Sequence, residues 1–127
     1  MGSEFTFYDF VDDSGVNVIH EWLQGLPKSA KQKFNKWLTH LEATPPGAWS
    51  RSLVDTVCDG LFEIRVRLST QQYRILGVHT PDRKPILLHG FIKLGSKVPN
   101  QNCDQAQINR DQFEADPAKH RMEHDYE

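Results

Sequence analysis

Three consecutive segments with strand character fill the stretch from Gly60 to Pro99, and any fold for this chain must accommodate them first. Leu61 to Leu68 alternates. Phe62, Ile64, Val66 and Leu68 share one face, and Glu63, Arg65 and Arg67 share the other, the pattern of a half-buried strand with one charged face. Ser69-Thr70-Gln71 turns the chain. Gln72 to His79 then puts Tyr73 and Ile75 on one side and Arg74, Leu76 and Val78 on the other. Thr80 to Pro85 reads as a hairpin loop from its prolines and Asp82. Ile86 to Lys93 is nearly all apolar, as a central strand buried on both faces would be. Connections this short join antiparallel neighbours, so the stretch predicts a three-stranded meander.

Charge is segregated along the chain. Seven Lys or Arg lie between Gly60 and Pro99 (Arg65, Arg67, Arg74, Arg83, Lys84, Lys93 and Lys97) against two acids, Glu63 and Asp82, although the 127 residues together carry −2. Residues 101–127 reverse the balance, with three bases and seven acids. A basic sheet beside an acidic segment points to a polyanionic partner.

Upstream, the aromatic run 5–10 predicts a first, edge-like strand. Ser14 or Asp13 can cap a helix carrying Val16, Ile19, Trp22 and Leu23 at helical spacing. Pro27 suits the first position of a second helix reaching about Ala43, with Ala30, Phe34, Trp37, Leu38 and Leu41 as its apolar stripe. Lys28, Lys31, Lys33 and Lys36 wrap its other faces, either as a solvated surface or as an addition to a nucleic-acid-facing one. Residues 48–59 are ambiguous, with Trp49 and Leu53 tucked against the core. A weakly amphipathic last helix is expected from about 101 to 115, and the polar tail beyond Pro117 is expected to be partly disordered. The domain therefore spans 1–110, with 111–127 as an acidic tail.

Cys58 and Cys103 could form one disulfide, but they show no disulfide framework or metal-ligand spacing and read as two reduced thiols. His120 and His124 stand four apart, a metal-binding spacing on a helix, but nothing is placed to complete a ligand set. No apolar run approaches the ~20 residues of a membrane span, so a cytoplasmic protein without membrane contact is expected.

Four pieces in order carry a resemblance: a helical hairpin holding Leu26-Pro27, then G-L-F-E-I-R from Gly60, Y-R-I-L from Tyr73, and L-L-H-G-F-I-K from Leu87, the last followed by Pro99. Together they resemble the phage-derived branch of HigB-type toxins in the RelE/ParE superfamily. The resemblance implies an α+β fold, with a helical hairpin packed on a twisted antiparallel sheet in the order β-α-α-β-β-β-α. It also implies a ribosome-dependent endoribonuclease that cuts messenger RNA without metal or cofactor, and a cognate antitoxin, of helix-turn-helix type, that neutralises it. Two departures stand out. Leu94-Gly95-Ser96 follows Lys93 where relatives carry further lysines, and the last segment is acidic where theirs is basic.

Such cleavage uses the ribose 2′-OH to attack the adjacent phosphate, giving a 2′,3′-cyclic phosphate and a 5′-OH. The resemblance assigns Arg65 and Arg74 to the developing charge, for which guanidinium is suited. Arginine stays protonated, so the proton must be handled by His89, Lys93 or Glu63. Lys93 matches the lysine of the family motif, and histidine as a residue titrates near neutrality. Glu63 is the weaker candidate and could simply orient Arg65. Phe91 shares strand parity with His89 and Lys93 and could stack on a base, while Arg67 and Lys97 would steer the backbone. The bland alternatives are a surface ion pair for Arg65 and core positions for His89 and Phe91. Two other functions compete. One is a ParE-type gyrase inhibitor of the same fold. The other is a catalytically silent binding module whose acidic segment covers the basic sheet.

Overall fold

The computed structural model describes residues 5–45, 48–49, 54–93 and 100–126. The elements in chain order are β1 (Tyr8–Phe10), α1 (Val18–Gln24), α2 (Lys28–Glu42), β2 (Val54–Val57), β3 (Leu61–Leu68), β4 (Gln71–Val78), β5 (Ile86–Ile92), α3 (Asn100–Ala115) and β6 (Arg121–Glu123). One sheet holds all six strands in the order β2-β3-β4-β5-β1-β6. The meander from β2 to β5 is antiparallel, β1 runs parallel to β5, and β6 runs antiparallel to β1.

The class is α+β, but the expected order needs three corrections. The ambiguous stretch contributes a strand, β2, which pairs Val54 with Ile64 and Val57 with Leu61. The C-terminal segment contributes another, β6. The first strand is not an edge, because β6 covers it, and its parallel pairing with β5 makes the sheet mixed.

Each face of the sheet carries its own core. On one, Phe7, Ile19, Phe34, Leu38, Ile64 and Ile75 join the α1–α2 hairpin to the sheet. On the other, Leu61, Leu76, Ile86 and Leu88 meet Ala106 and Phe113 of α3. The buried stripe of α2 follows the predicted spacing, except that Trp37 is only partly buried. The caps differ from expectation. Asn17, not Ser14 or Asp13, caps α1 by accepting the His20 N–H at 2.8 Å. Asp12 takes the Ser14 and Val16 N–H groups and so shapes the preceding turn. Pro27 stands at the cap of α2, one residue before the first helical position. Trp49 does pack on Phe5 and Phe62, whereas Leu53 lies outside the described residues.

Residues 118–126, within the tail expected to be partly disordered, instead close the sheet. Their buried histidines, His120 and His124, are matched to polar groups elsewhere in the chain. The buried Asp9 carboxylate meets His124 Nδ1 at 2.7 Å and accepts from Asn17 Nδ2 at 3.0 Å. His124 Nε2 meets Asn35 Oδ1 at 2.9 Å. His120 stacks on Phe10, and its Nδ1 meets the Val11 carbonyl at 2.7 Å. Arg121 donates to Asp82 at 3.0 Å and lies over the Tyr8 ring. The two histidines are thus taken up by the fold, and among the described residues no three His, Cys, Asp or Glu side chains gather as a metal set. No helix among the described residues is long and apolar enough to cross a membrane.

The cysteine reading is also corrected. Cys58, in the turn between β2 and β3, is disulfide-bonded to Cys103 in the first turns of α3. Their separation of 45 residues hid the pairing, because α3 folds back over the sheet to bring them together.

Candidate active site

The pairing register turns the predicted face into a grid of three rows, two crossing β3, β4 and β5 and the third ending on Lys93 just past β5. Glu63 stands opposite Leu76, and Leu76 opposite His89. Arg65 stands opposite Arg74, and Arg74 opposite Phe91. Arg67 stands opposite Gln72, whose carbonyl accepts the backbone N–H of Lys93 at 2.7 Å. Neighbouring rows are two residues apart, about 6.6 Å along a strand. The structure therefore brings Arg65, Arg67, Arg74, His89, Phe91 and Lys93 to one face. Lys97 lies outside the described residues.

His89 reaches this face because of an irregularity. The β4–β5 register shifts between Leu76 and Gly77, so that Leu76 opposes His89 while Gly77 opposes Leu87. Leu87 packs on the hairpin side, yet Leu88 and Phe91 both pack on the α3 side. An extra residue in a strand re-aims the side chains beyond it. Without that shift, His89 would share the face of Leu87. Helix α3 services the irregularity: Asn109 Nδ2 donates to the Leu88 carbonyl at 2.8 Å, and Asn102 Oδ1 meets His89 Nε2 at 2.7 Å. The His89 ring stacks on Phe91 at 5.9 Å between centroids, 17° from parallel.

Glu63 is the electrostatic centre. It is fully buried, and one oxygen, Oε1, takes Arg65 Nε at 3.1 Å and lies 3.5 Å from Arg74 Nε. Its other oxygen, Oε2, has no hydrogen-bond partner among the described residues. The charged face expected to meet solvent thus begins with a buried carboxylate. Arg74 is 6% exposed and spends its donors inward, Nη1 on the Tyr73 carbonyl at 3.2 Å and Nη2 on Gln72 Oε1 at 2.7 Å. Burial pulls its guanidinium below the ordinary value; Glu63 works against this and Arg65 adds to it. Arg65 keeps 30% of its side chain exposed, Arg67 is exposed and Lys93 is half-buried. Cationic surface is therefore offered by the outer members of the grid, with Arg74 holding charge beneath them.

A cavity of about 370 Å³ opens beside His89, between α1 and α3, with Trp22, Gln105, Asn109 and Gln112 in its wall. The acids of α3 are solvent-exposed: Asp104, Asp111 and Glu114 all meet water, and Glu114 pairs with Arg110 of its own helix. On the hairpin layer, Lys28, Lys31 and Lys36 border a groove with Tyr126, while Lys33 donates to the Arg67 carbonyl at 2.7 Å. The lysines of α2 thus form a second basic surface, off the grid, except where Lys33 ties the two layers together.

Sequence reasoning missed Gln72, Asn102 and Asn109, and ranked Glu63 last among the proton-handling groups. Strand parity alone would have put Gln72 on the charged face. No local signal marks Asn102 or Asn109, because their place depends on how α3 crosses the sheet. Residues 21–111 match the family model described as phage derived protein Gp49-like. No curated protein matches the chain.

Proposed function

The chain belongs to the Gp49-like family of phage-derived proteins, and from that premise we propose that it is the toxin of a type II toxin–antitoxin pair, a metal-independent endoribonuclease acting on messenger RNA in the ribosome. The observation that carries this reading is the row Arg65–Arg74–Phe91, flanked on one side by His89 and on the other by Lys93. In-line attack by the 2′-OH places the entering and leaving oxygens on opposite sides of phosphorus. A phosphate seated over the arginine row has His89 toward one of those oxygens and Lys93 toward the other. His89 takes the 2′-OH proton, and Lys93 supplies one to the departing 5′ oxygen. Arg65 meets the phosphorane charge directly, and Arg74 reinforces it from below with Glu63 holding both forks in line. Phe91, expected as a possible base-stacking surface, is instead 6% exposed in the α3-side core, where it backs the His89 ring.

The partners that follow are ribosome and messenger RNA as target, and a small antitoxin of helix-turn-helix type as inhibitor, all in the cytoplasm. Translation of a defined message by purified ribosomes with the protein added tests the reading. Primer extension is expected to map cuts within translated codons, and the upstream product is expected to end in a 2′,3′-cyclic phosphate. Intact message together with gyrase-linked DNA breaks would replace it with the gyrase reading. Intact message and intact DNA would leave a binding module.

A further inference from the structure

We infer that Asn102 is the positioning residue of His89, and that the Cys58–Cys103 disulfide holds it in place, so that the redox state of one cysteine pair governs how firmly the proton-handling ring is set. The inference rests on the nuclease reading for its consequence, but not for its geometry.

Asn102 Oδ1 lies 2.7 Å from His89 Nε2. A carboxamide oxygen can only accept, so Nε2 carries the proton in this contact. No hydrogen bond to Nδ1 is present among the described residues, which leaves that nitrogen to gain and lose the proton during turnover. Phe91 stacked on the ring fixes its plane, and Asn102 fixes its rotation within that plane.

Asn102 sits in the first turn of α3, where helices fray because their leading N–H groups lack intrahelical partners. The next residue, Cys103, is bonded to Cys58 in the β2–β3 turn, which anchors that turn of helix to the sheet. One turn further on, Gln107 Nε2 donates to the Cys58 carbonyl at 2.6 Å, and Ala106 is fully buried. Opening the disulfide therefore leaves the body of α3 docked and frees only its start. A dithiol reductant supplies the two electrons and two protons: the S–S bond breaks, two thiols form, and the reductant closes to its own disulfide. Where cytosolic disulfides occur they are usually transient or redox-sensing, which fits a bond placed beside a reactive ring.

The test reads the His89 ring by nitrogen-15 NMR on the intact protein, with no substrate present. In the oxidised protein we expect a proton on Nε2, protected from solvent exchange. Asn102→Leu should speed that exchange about tenfold, roughly what one hydrogen bond is worth, whereas Asn102→Asp, which still accepts, should restore protection. Dithiothreitol should speed exchange in the same direction, and reoxidation should reverse it. RNA cleavage should fall in kcat with KM unchanged in Asn102→Leu and in the reduced protein. A bare Nε2, or protection unchanged by Asn102→Leu, would overturn the positioning role. Protection unchanged by reduction would overturn the role of the disulfide. A wild type that cuts no RNA would sink the nuclease reading, while the ring-proton measurements would still decide this one.

Discussion

Arg65 and Arg74 face each other as a registered pair on neighbouring strands, and their Nε atoms reach toward the same oxygen of Glu63. Like charges placed directly opposite on a sheet repel. The arrangement persists because a fully buried carboxylate sits between them and because Arg74 directs Nη2 to Gln72 and Nη1 to the Tyr73 carbonyl. The pair thus shares one buried oxygen, with Arg65 the partly exposed member and Arg74 the buried one.

Glu63→Gln removes the countercharge and leaves two cations facing each other, one of them buried. Breaking a buried pair by removing one partner costs about 3–5 kcal/mol. Urea denaturation is expected to show a loss of that order, with the slope unchanged. A variant as stable as the parent would mean the arginines do not depend on Glu63.

The two arginines should separate on substitution. Arg65 is partly exposed, so Arg65→Ala is expected to keep the fold and cut RNA cleavage by about 10²–10³-fold, the usual effect of deleting one charge-stabilising donor. Arg74 is buried and structural as well, so Arg74→Ala should lower both activity and thermal stability. Equal thermal shifts in the two variants would contradict this division.

Local periodicity made the grid readable in advance. Alternation set the parities of β3 and β4, and the apolar run marked β5. It did not reveal the register shift opposite Leu87 to His89, because a bulge is a property of two strands and leaves no period in either. Nor could it show that His120 and His124 of the C-terminal segment are structural. Asp9, His124 and Asn35 look like solvated polar residues one at a time, and only their mutual contact buries them. Cys58 and Cys103 were opaque for the same reason, since each is unremarkable until α3 brings the second to the first.

Truncation after Ala115 tests that correction. It removes β6, exposes the edge of β1 and leaves the Asp9 carboxylate without His124. A disordered tail could be cut at no cost to stability. Here the loss should reach about 3 kcal/mol or more, the penalty for an unpaired buried charge, and thermal unfolding of the shortened chain will measure it.

Gly90, in the segment Leu87 to Lys93, lies under the Trp22 indole so closely that an added Cβ would stand 2.3 Å from the ring. Gly90→Ala must displace Trp22 or the strand, at about 1–3 kcal/mol as overpacking usually costs. Combining it with Trp22→Ala should give a loss smaller than the two single losses added together, because the clash is shared. Strict additivity in denaturation midpoints would show that the ring already yields.

Tyr126 gives the chain an alkaline limit. Burial pushes its phenol well above the ordinary value, the Glu42 carboxylate beside the hydroxyl adds to this as acceptor and as charge, and the charges of Asp9 and Glu123 push the same way. No hydrogen bond of full geometry reaches the hydroxyl among the described residues, so Glu42 acts on it through a looser contact. A phenol that holds its proton more tightly when folded gives its full contribution below the unfolded value of 10.0 and loses it as pH climbs above that value. Stability of the wild type should therefore fall more steeply above about pH 10 than that of Tyr126→Phe, which has no proton to lose. At neutral pH the two should lie within about 1 kcal/mol, because the missing hydroxyl has only a loose contact with Glu42. Denaturant midpoints measured across that range, with Tyr8 and Tyr73 present in both proteins, isolate the effect. Parallel curves would mean that the Tyr126 hydroxyl reaches water.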